Sequence, residues 1–280
     1  VAIAGTRSPI VFTPVGFPTR QLVGWLRAAM GCRDIHVTCP SDTARRFLVT
    51  RGVPIERTHL VRPGVDLKNI PTGRNERLRA ELGYSTTDTV LYCPLEMTRA
   101  ADHSTAVWAI SILNIIRPEF RLLLWGNGKN LSNMKEVLGR TIDRATFRIV
   151  EIDSPDPLFA AADGVLLTPL ENVPMVSIAG AMASGKPIVS TFTESICELL
   201  EDRHTALLVA ERTPRAIAHR VIDMFADPTL AWKLQDRARA EVYDHLTQAK
   251  MLELFRQVYA SVSGSASETD SPILTKPIEA

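Results

Sequence analysis

The sequence predicts a doubly wound α/β fold, and three features of its pattern predict it. Short apolar runs alternate with amphipathic segments along most of the chain. Runs such as Leu122–Trp125 and Val165–Leu167 are apolar on both faces, as strands of a parallel sheet covered by helices are. Loops bearing glycine or proline, such as Pro14–Pro18 and Arg62–Gly64, punctuate the alternation.

The elements follow in order. Pro9–Thr13 reads as a strand, and a helix runs from about Thr19 to Met30 with Leu22, Val23, Trp25 and Leu26 at helical spacing. Strand Asp34–Cys39 ends in Pro40; Ser41 then caps the helix Asp42–Arg51, and Gly52 stops it. His59–Val61 is a short strand before the turn Arg62–Gly64. A charged helix covers Asn75–Leu82. Strand Thr89–Cys93 then leads to helix His103–Ile116, and strand Phe120–Leu124 to helix Leu131–Arg140. Strand Thr146–Val150 precedes the short helix Asp156–Ala162, and strand Gly164–Leu167 precedes helix Val176–Ser184. Strand Pro187–Ser190, helix Glu194–Glu201 and strand Ala206–Val209 complete the alternation. Two helices close it, Pro214–Ala226 and Pro228 to about Ala260, the second bent near Tyr243–His245. Ser261–Ala280 is polar and without period, and is expected to be a disordered tail.

Composition excludes several classes. Of 280 residues, 32 are basic and 31 acidic, 45% are hydrophobic and 22% charged. That is too apolar for intrinsic disorder and, at a net charge of +1, too balanced for a general nucleic-acid binder. Cys32, Cys39, Cys93 and Cys197 form no C-x-x-C pair, so neither a zinc site nor a disulfide framework is expected. Reduced thiols in a cytoplasmic protein are expected instead. The most apolar stretch, Ala106–Ile116, is too short for the about 20 residues of a membrane span. The N-terminus lacks a signal-peptide pattern, and a start at Val1 is expected to mark a piece of a longer chain.

In sheets of this kind ligands bind beyond the C-terminal ends of the strands. Three loops there carry candidates. Trp125–Lys129 holds Gly126 and Gly128, which let backbone approach a ligand or serve a tight turn only. Thr168–Met175 precedes a helix: Glu171 can accept from sugar hydroxyls, and the N–H groups near Val176 can face a phosphate, with Asn172 and Val173 between them. Alternatively, Glu171 merely complements the helix dipole. Leu95–Asp102 has one cation, Arg99, placed to meet a phosphate or simply solvated.

Cys39–Asp66 (CPSDTARRFLVTRGVPIERTHLVRPGVD) resembles the end of the first lobe in the family-4, or group 1, glycosyltransferases. The similarity continues through Trp125–Lys129, Leu158–Asp163, Glu171–Val189 and Glu198–Val209. The resemblance implies a GT-B fold, two Rossmann-like lobes facing across a cleft. It also implies metal-independent transfer of a sugar from a nucleotide-sugar donor to an acceptor that the sequence does not identify. Residues 1–63 would be an incomplete acceptor-side lobe and 64–243 the donor lobe. Residues 244–260 would be a helix returning to the first lobe, and 261–280 the tail. Arg99, Gly126, Gly128, Glu171, Asn172, Val173 and Val176 would then bind the donor, with no cofactor and no metal.

The chain departs from the family pattern at informative places. The family's first glutamate matches Glu171, and its Ala-Met-Ala-x-Gly-x-Pro run matches Ala181–Pro187. Its second glutamate is replaced: Ala179 stands eight positions after Glu171, and Gly180 precedes the run. Ser177 is a weak substitute. Where the family shows Gly-Arg and then Lys after the first donor-lobe strand, this chain has Pro94-Leu95-Glu96, leaving Arg99 and His103 as the nearest cationic candidates. None of the six histidines takes the family's acceptor-side position, and no catalytic base is named. Three readings therefore stand: a glycosyltransferase, a non-catalytic descendant of the same fold that binds a sugar or a partner, and a nucleotide-sugar epimerase of that architecture. The resemblance leaves membrane association open, and no segment argues for it.

Overall fold

The protein is described from a computed structural model, which covers residues 8–14, 16–139 and 146–264. Two parallel sheets form. In the smaller, β1 (Ile10–Phe12), β2 (Ile35–Cys39) and β3 (Thr58–Leu60) lie in the order β1-β2-β3. Ile35, Val37 and Cys39 alternate on one face of β2, where α1 (Arg20–Cys32) and α2 (Asp42–Val49) bury Val23, Leu26, Ala44 and Leu48 against them. His36 and His59 share the other face, and one ring nitrogen donates to the other across 2.8 Å.

The larger sheet contains β4 (Thr89–Cys93), β5 (Phe120–Trp125), β6 (Phe147–Val150), β7 (Gly164–Leu167), β8 (Ile188–Thr191) and β9 (Leu207–Val209). Their order is β6-β5-β4-β7-β8-β9, all parallel. The chain enters at the centre, winds to one edge, returns to the centre and winds to the other. The reversal falls between β4 and β7. Successive residues point to opposite faces, so each strand feeds two cores. Leu91, Leu122, Leu124, Leu166 and Val189 meet α4 (His103–Ile116), α5 (Leu131–Gly139) and α8 (Pro214–Ala226). Tyr92, Leu123, Val165, Leu167 and Ile188 meet α6 (Met175–Ala183) and α9 (Pro228–His245). The doubly apolar runs read from the sequence are these strands.

Two elements differ from expectation. The helix after Thr193, expected to reach Glu201, is the single turn α7 (Glu194–Cys197). It stops because Glu201 is drawn into a tight turn: its N–H donates to Thr205 Oγ1, and Arg203 takes a left-handed φ of +58°. The last helix is not bent but divided. α9 ends at His245, and α10 (Gln248–Ser263) begins after Thr247, whose hydroxyl accepts from the Lys250 N–H. The break faces the segment joining the two sheets: Val65 N–H donates to the Leu246 carbonyl and Val65 O accepts from Gln248 N–H. A side chain at Gly64 would run into the Thr247 carbonyl, so glycine is required at this crossing. The asparagine-capped helix near residue 75 is α3 (Glu76–Glu81). The tail is expected from Ser261, but α10 runs to Ser263; the rest of it beyond Gly264 and the expected end of α5 at Arg140 lie outside the described residues.

α3 is pinned by a charge in the core. Arg79 is fully buried, and its guanidinium donates to the carbonyls of Ala161 and Asp88 and to Asp163 Oδ2. Asp163 Oδ2 also accepts from Val90 N–H on β4. Removing one member of a buried pair leaves the other groups without partners. Arg79→Ala should therefore cost roughly 3 kcal/mol of stability, read as a lowered urea midpoint.

Candidate functional site

The winding reversal places two loops side by side, 94–102 after β4 and 168–174 after β7. They are laced together. Leu170 N–H donates to the Ala100 carbonyl at 2.8 Å, and Thr168 Oγ1 donates to the Asp102 carbonyl at 2.9 Å. Asp102 takes a left-handed φ of +43°, which turns that carbonyl toward β7 at the start of α4. Arg212 braces the second loop from outside, donating to the carbonyls of Leu170 and Phe192.

The third loop joins the same cluster. Met97 N–H donates to the Asn127 carbonyl at 2.6 Å, and Asn130 N–H returns to the Met97 carbonyl at 2.7 Å. A Cβ on Gly128, at φ +119°, would stand 2.6 Å from Met97 O; one on Gly126 would stand 2.7 Å from the side chains of Ile149 and Glu151. The close approach these glycines permit is to the protein's own chain. That is the turn-and-packing alternative left open by the sequence.

The other candidates divide into exposed and engaged groups. Arg99 and Glu171 are exposed, and neither side chain has a hydrogen-bond or ionic partner among the described residues. Asn172 and Val173 are engaged in holding the loop: Asn172 Oδ1 accepts from Ser195 N–H at 2.9 Å, and Val173 N–H donates to Ser195 Oγ at 3.1 Å. Through these bonds they shape the loop. At the start of α6, Ser177 N–H bonds the Pro174 carbonyl. The N–H groups of Met175 and Val176 have no protein acceptor among the described residues. The opening of α6 thus presents two free donors, positively polarised by the helix.

His103 is corrected as a cation. It is buried at the start of α4, its Nε2 lies 3.1 Å from the Leu95 carbonyl, and Nδ1 has no partner. Burial pulls its pKa down to about 4, against a smaller upward pull from the Leu95 carbonyl. It is a neutral ring tying α4 to the β4 loop. Cys39 and Cys93 are not nucleophiles in waiting either: burial raises the Cys39 thiol to about 12 and the Cys93 thiol higher still. Ala179 is buried in the core, whereas Gly180 has one neighbour in reach of a Cβ, the tip of Ile70 at 4.0 Å. Sequence reasoning missed Ser195 and Arg212, which hold the loop from later elements, and Glu198, which reaches across to α2. The residue types gave no signal, because their partners lie far along the chain.

A sequence model of the family described as "Glycosyl transferases group 1" matches residues 97–227, a span holding two of the three loops and most of the first. Over that span the chain is similar to the group 1 glycosyltransferases. A curated relative, N-acetyl-alpha-D-glucosaminyl L-malate synthase of Bacillus anthracis, is 24% identical over 220 residues. That match takes in 74% of this chain and 57% of the relative, so the chain spans little more than half the relative's length. Among solved structures, the Anabaena protein HepE in complex with UDP and glucose superposes with a TM-score of 0.77 at 19% identity. It covers 92% of this chain and 72% of its own. A glycosyltransferase from Rickettsia africae gives 0.76 at 18% identity, over 90% of this chain and 70% of its own. These likenesses show the GT-B fold. Of the positions where the sequence departs from the family pattern, Glu96 is exposed and Ala179 and Gly180 are buried. No helix among the described residues is long and apolar enough to cross a membrane.

Two outcomes follow from this geometry. Gly128→Ala, forced to left-handed φ against the Met97 backbone, should lose about 1–3 kcal/mol of stability in chemical denaturation. His103 has a folded pKa below its unfolded value, so the unfolded chain binds the extra proton between pH 6.5 and about 4. Stability should therefore fall as pH is lowered through that window. His103→Gln, which keeps a donor for Leu95, should flatten the fall in a pH series of thermal melts.

Proposed function

We propose that this protein moves a sugar from a nucleotide-sugar donor to an acceptor, without a metal requirement, and that it acts in the cytoplasm. One observation carries the reading: the two free N–H groups opening α6 and the unpartnered Glu171 carboxylate stand together on one loop at the winding reversal. In this reading the Met175 and Val176 N–H groups receive a phosphate oxygen, as a helix N-terminus does. Glu171 accepts from hydroxyls of the donor sugar, and Arg99 neutralises phosphate charge from the facing loop. Asn172 and Val173 act through Ser195, holding the loop in shape. Gly126 and Gly128 act by letting the third loop close against Met97. The four free cysteines, two of them exposed, support a reducing compartment.

A second reading has specific support. Glu96 puts negative charge on the loop where the family pattern has a basic residue, and Gly180 removes the second carboxylate. Both changes weaken a nucleoside-diphosphate site, so a non-catalytic, sugar- or partner-binding descendant is the alternative.

Thermal-shift titration with UDP-, GDP- and ADP-sugars tests the binding step, since a ligand at about 100 times its Kd stabilises by about 2.7 kcal/mol. A shift with one nucleotide class is expected, and none with any class would refute donor binding. Glu171→Ala should weaken that binding about tenfold or more, the worth of a charged hydrogen bond. Gly180→Glu, with room for its Cβ, should strengthen it by a similar factor. Assay of the bound donor with candidate acceptors then separates the readings, because binding without any sugar release favours the non-catalytic one.

A further inference from the structure

Glu198 belongs to the larger sheet's side of the molecule, yet its carboxylate is spent on the smaller one. It follows α7, and its Oε2 and Oε1 accept from the N–H groups of Asp42 and Thr43 at 2.8 and 2.7 Å. Those are the first two donors of α2. The next two are taken by Ser41, whose Oγ accepts from Ala44 N–H and whose carbonyl accepts from Arg45 N–H. Every orphan donor of that helix end is thus satisfied, two of them by a charged group from the other lobe. A carboxylate at this end also meets the positive pole of the helix.

The connection does not stop at α7. One turn long, α7 is fastened to the candidate donor loop by Ser195, through Asn172 Oδ1 and the Val173 N–H. Just upstream, Thr191 Oγ1 donates to the Pro169 carbonyl of the same loop. An unbroken set of hydrogen bonds therefore runs from α2 through Glu198 and α7 to the segment 169–173 that presents Glu171.

We propose that Glu198 is a positioning residue that couples the seating of the first lobe to the shape of the donor loop. With Glu198 on the α2 N-terminus, α7 is held and the loop keeps Glu171 and the opening of α6 in their binding arrangement. When the lobes part, α2 loses two charge-assisted partners and the loop loses its anchor. The reading of donor affinity rests on the proposed function, whereas the coupling itself does not.

Amide hydrogen exchange measured by NMR on the full chain tests it, with UDP-glucose binding as a second readout. Glu198→Ala should speed exchange at Asp42 and Thr43 about tenfold or more, from loss of a charged acceptor. Exchange at Val173 and Ser195 should rise with it, and UDP-glucose affinity should fall about tenfold. Glu198→Gln, which keeps one acceptor oxygen, should give an intermediate result. Asp42→Pro provides the same test from the opposite lobe. Proline is accepted at the first helical position, and Ser41 at φ −149°, ψ 159° already has the extended backbone that a following proline demands. It deletes one donor to Glu198 without touching α7, and should raise exchange at Val173 and Ser195. If Glu198→Ala does not fold, Asp42→Pro decides alone. Faster exchange confined to residues 41–45 in either variant would reduce Glu198 to a local helix cap and overturn the coupling. Absence of UDP-glucose binding in the unmodified protein would count against the donor reading, while the exchange data would still decide the coupling.

Discussion

The candidate site depends on one constraint, the reversal of winding between β4 and β7. A parallel sheet needs helices on both faces, so each strand must be followed by a crossover. A chain that starts at the centre has to return there once to cover the second face. At the return, two neighbouring strands send their loops to opposite faces, and a crevice opens between them. Arg99 and Glu171 are far apart in sequence and lie on facing loops because β4 and β7 are adjacent.

That crevice is not slack. Ala100, Asp102, Thr168 and Leu170 bond across it, and the Gly126–Gly128 loop is drawn in against Met97. Buried backbone groups must find partners, and here they find one another. The result separates roles that look alike in sequence. Asn172 and Val173 maintain geometry, and Glu171, Arg99 and the first N–H groups of α6 remain to meet a ligand. At Gly180, beside this site, a Cβ would meet only the tip of Ile70 at 4.0 Å.

The chain passes between the two sheets at Gly64–Val65, pressed against Leu246–Gln248, which is where α9 and α10 part. Glu198 adds a charged contact to α2 at a separate place. Each sheet keeps its own core beside these contacts.

The sequence by itself determined the fold class and nearly every element. Periodicity reports burial directly: β4, β7, α4 and α8 lie where the apolar pattern put them. It also supplied Glu171 and the resemblance to group 1, because local order of elements is written along the chain. It misjudged α7 and the last helix, whose ends are set by contacts with distant segments, Thr205 with Glu201 and Val65 with Leu246 and Gln248. It could not see that His103 is neutral, since burial and not residue type sets that pKa. Nor could it join Glu198 to Asp42 and Thr43 or Ser195 to Val173. Hydrogen bonds between residues so far apart in the chain leave no periodic trace, so only the tertiary structure decided which polar groups build the site and which are left to bind.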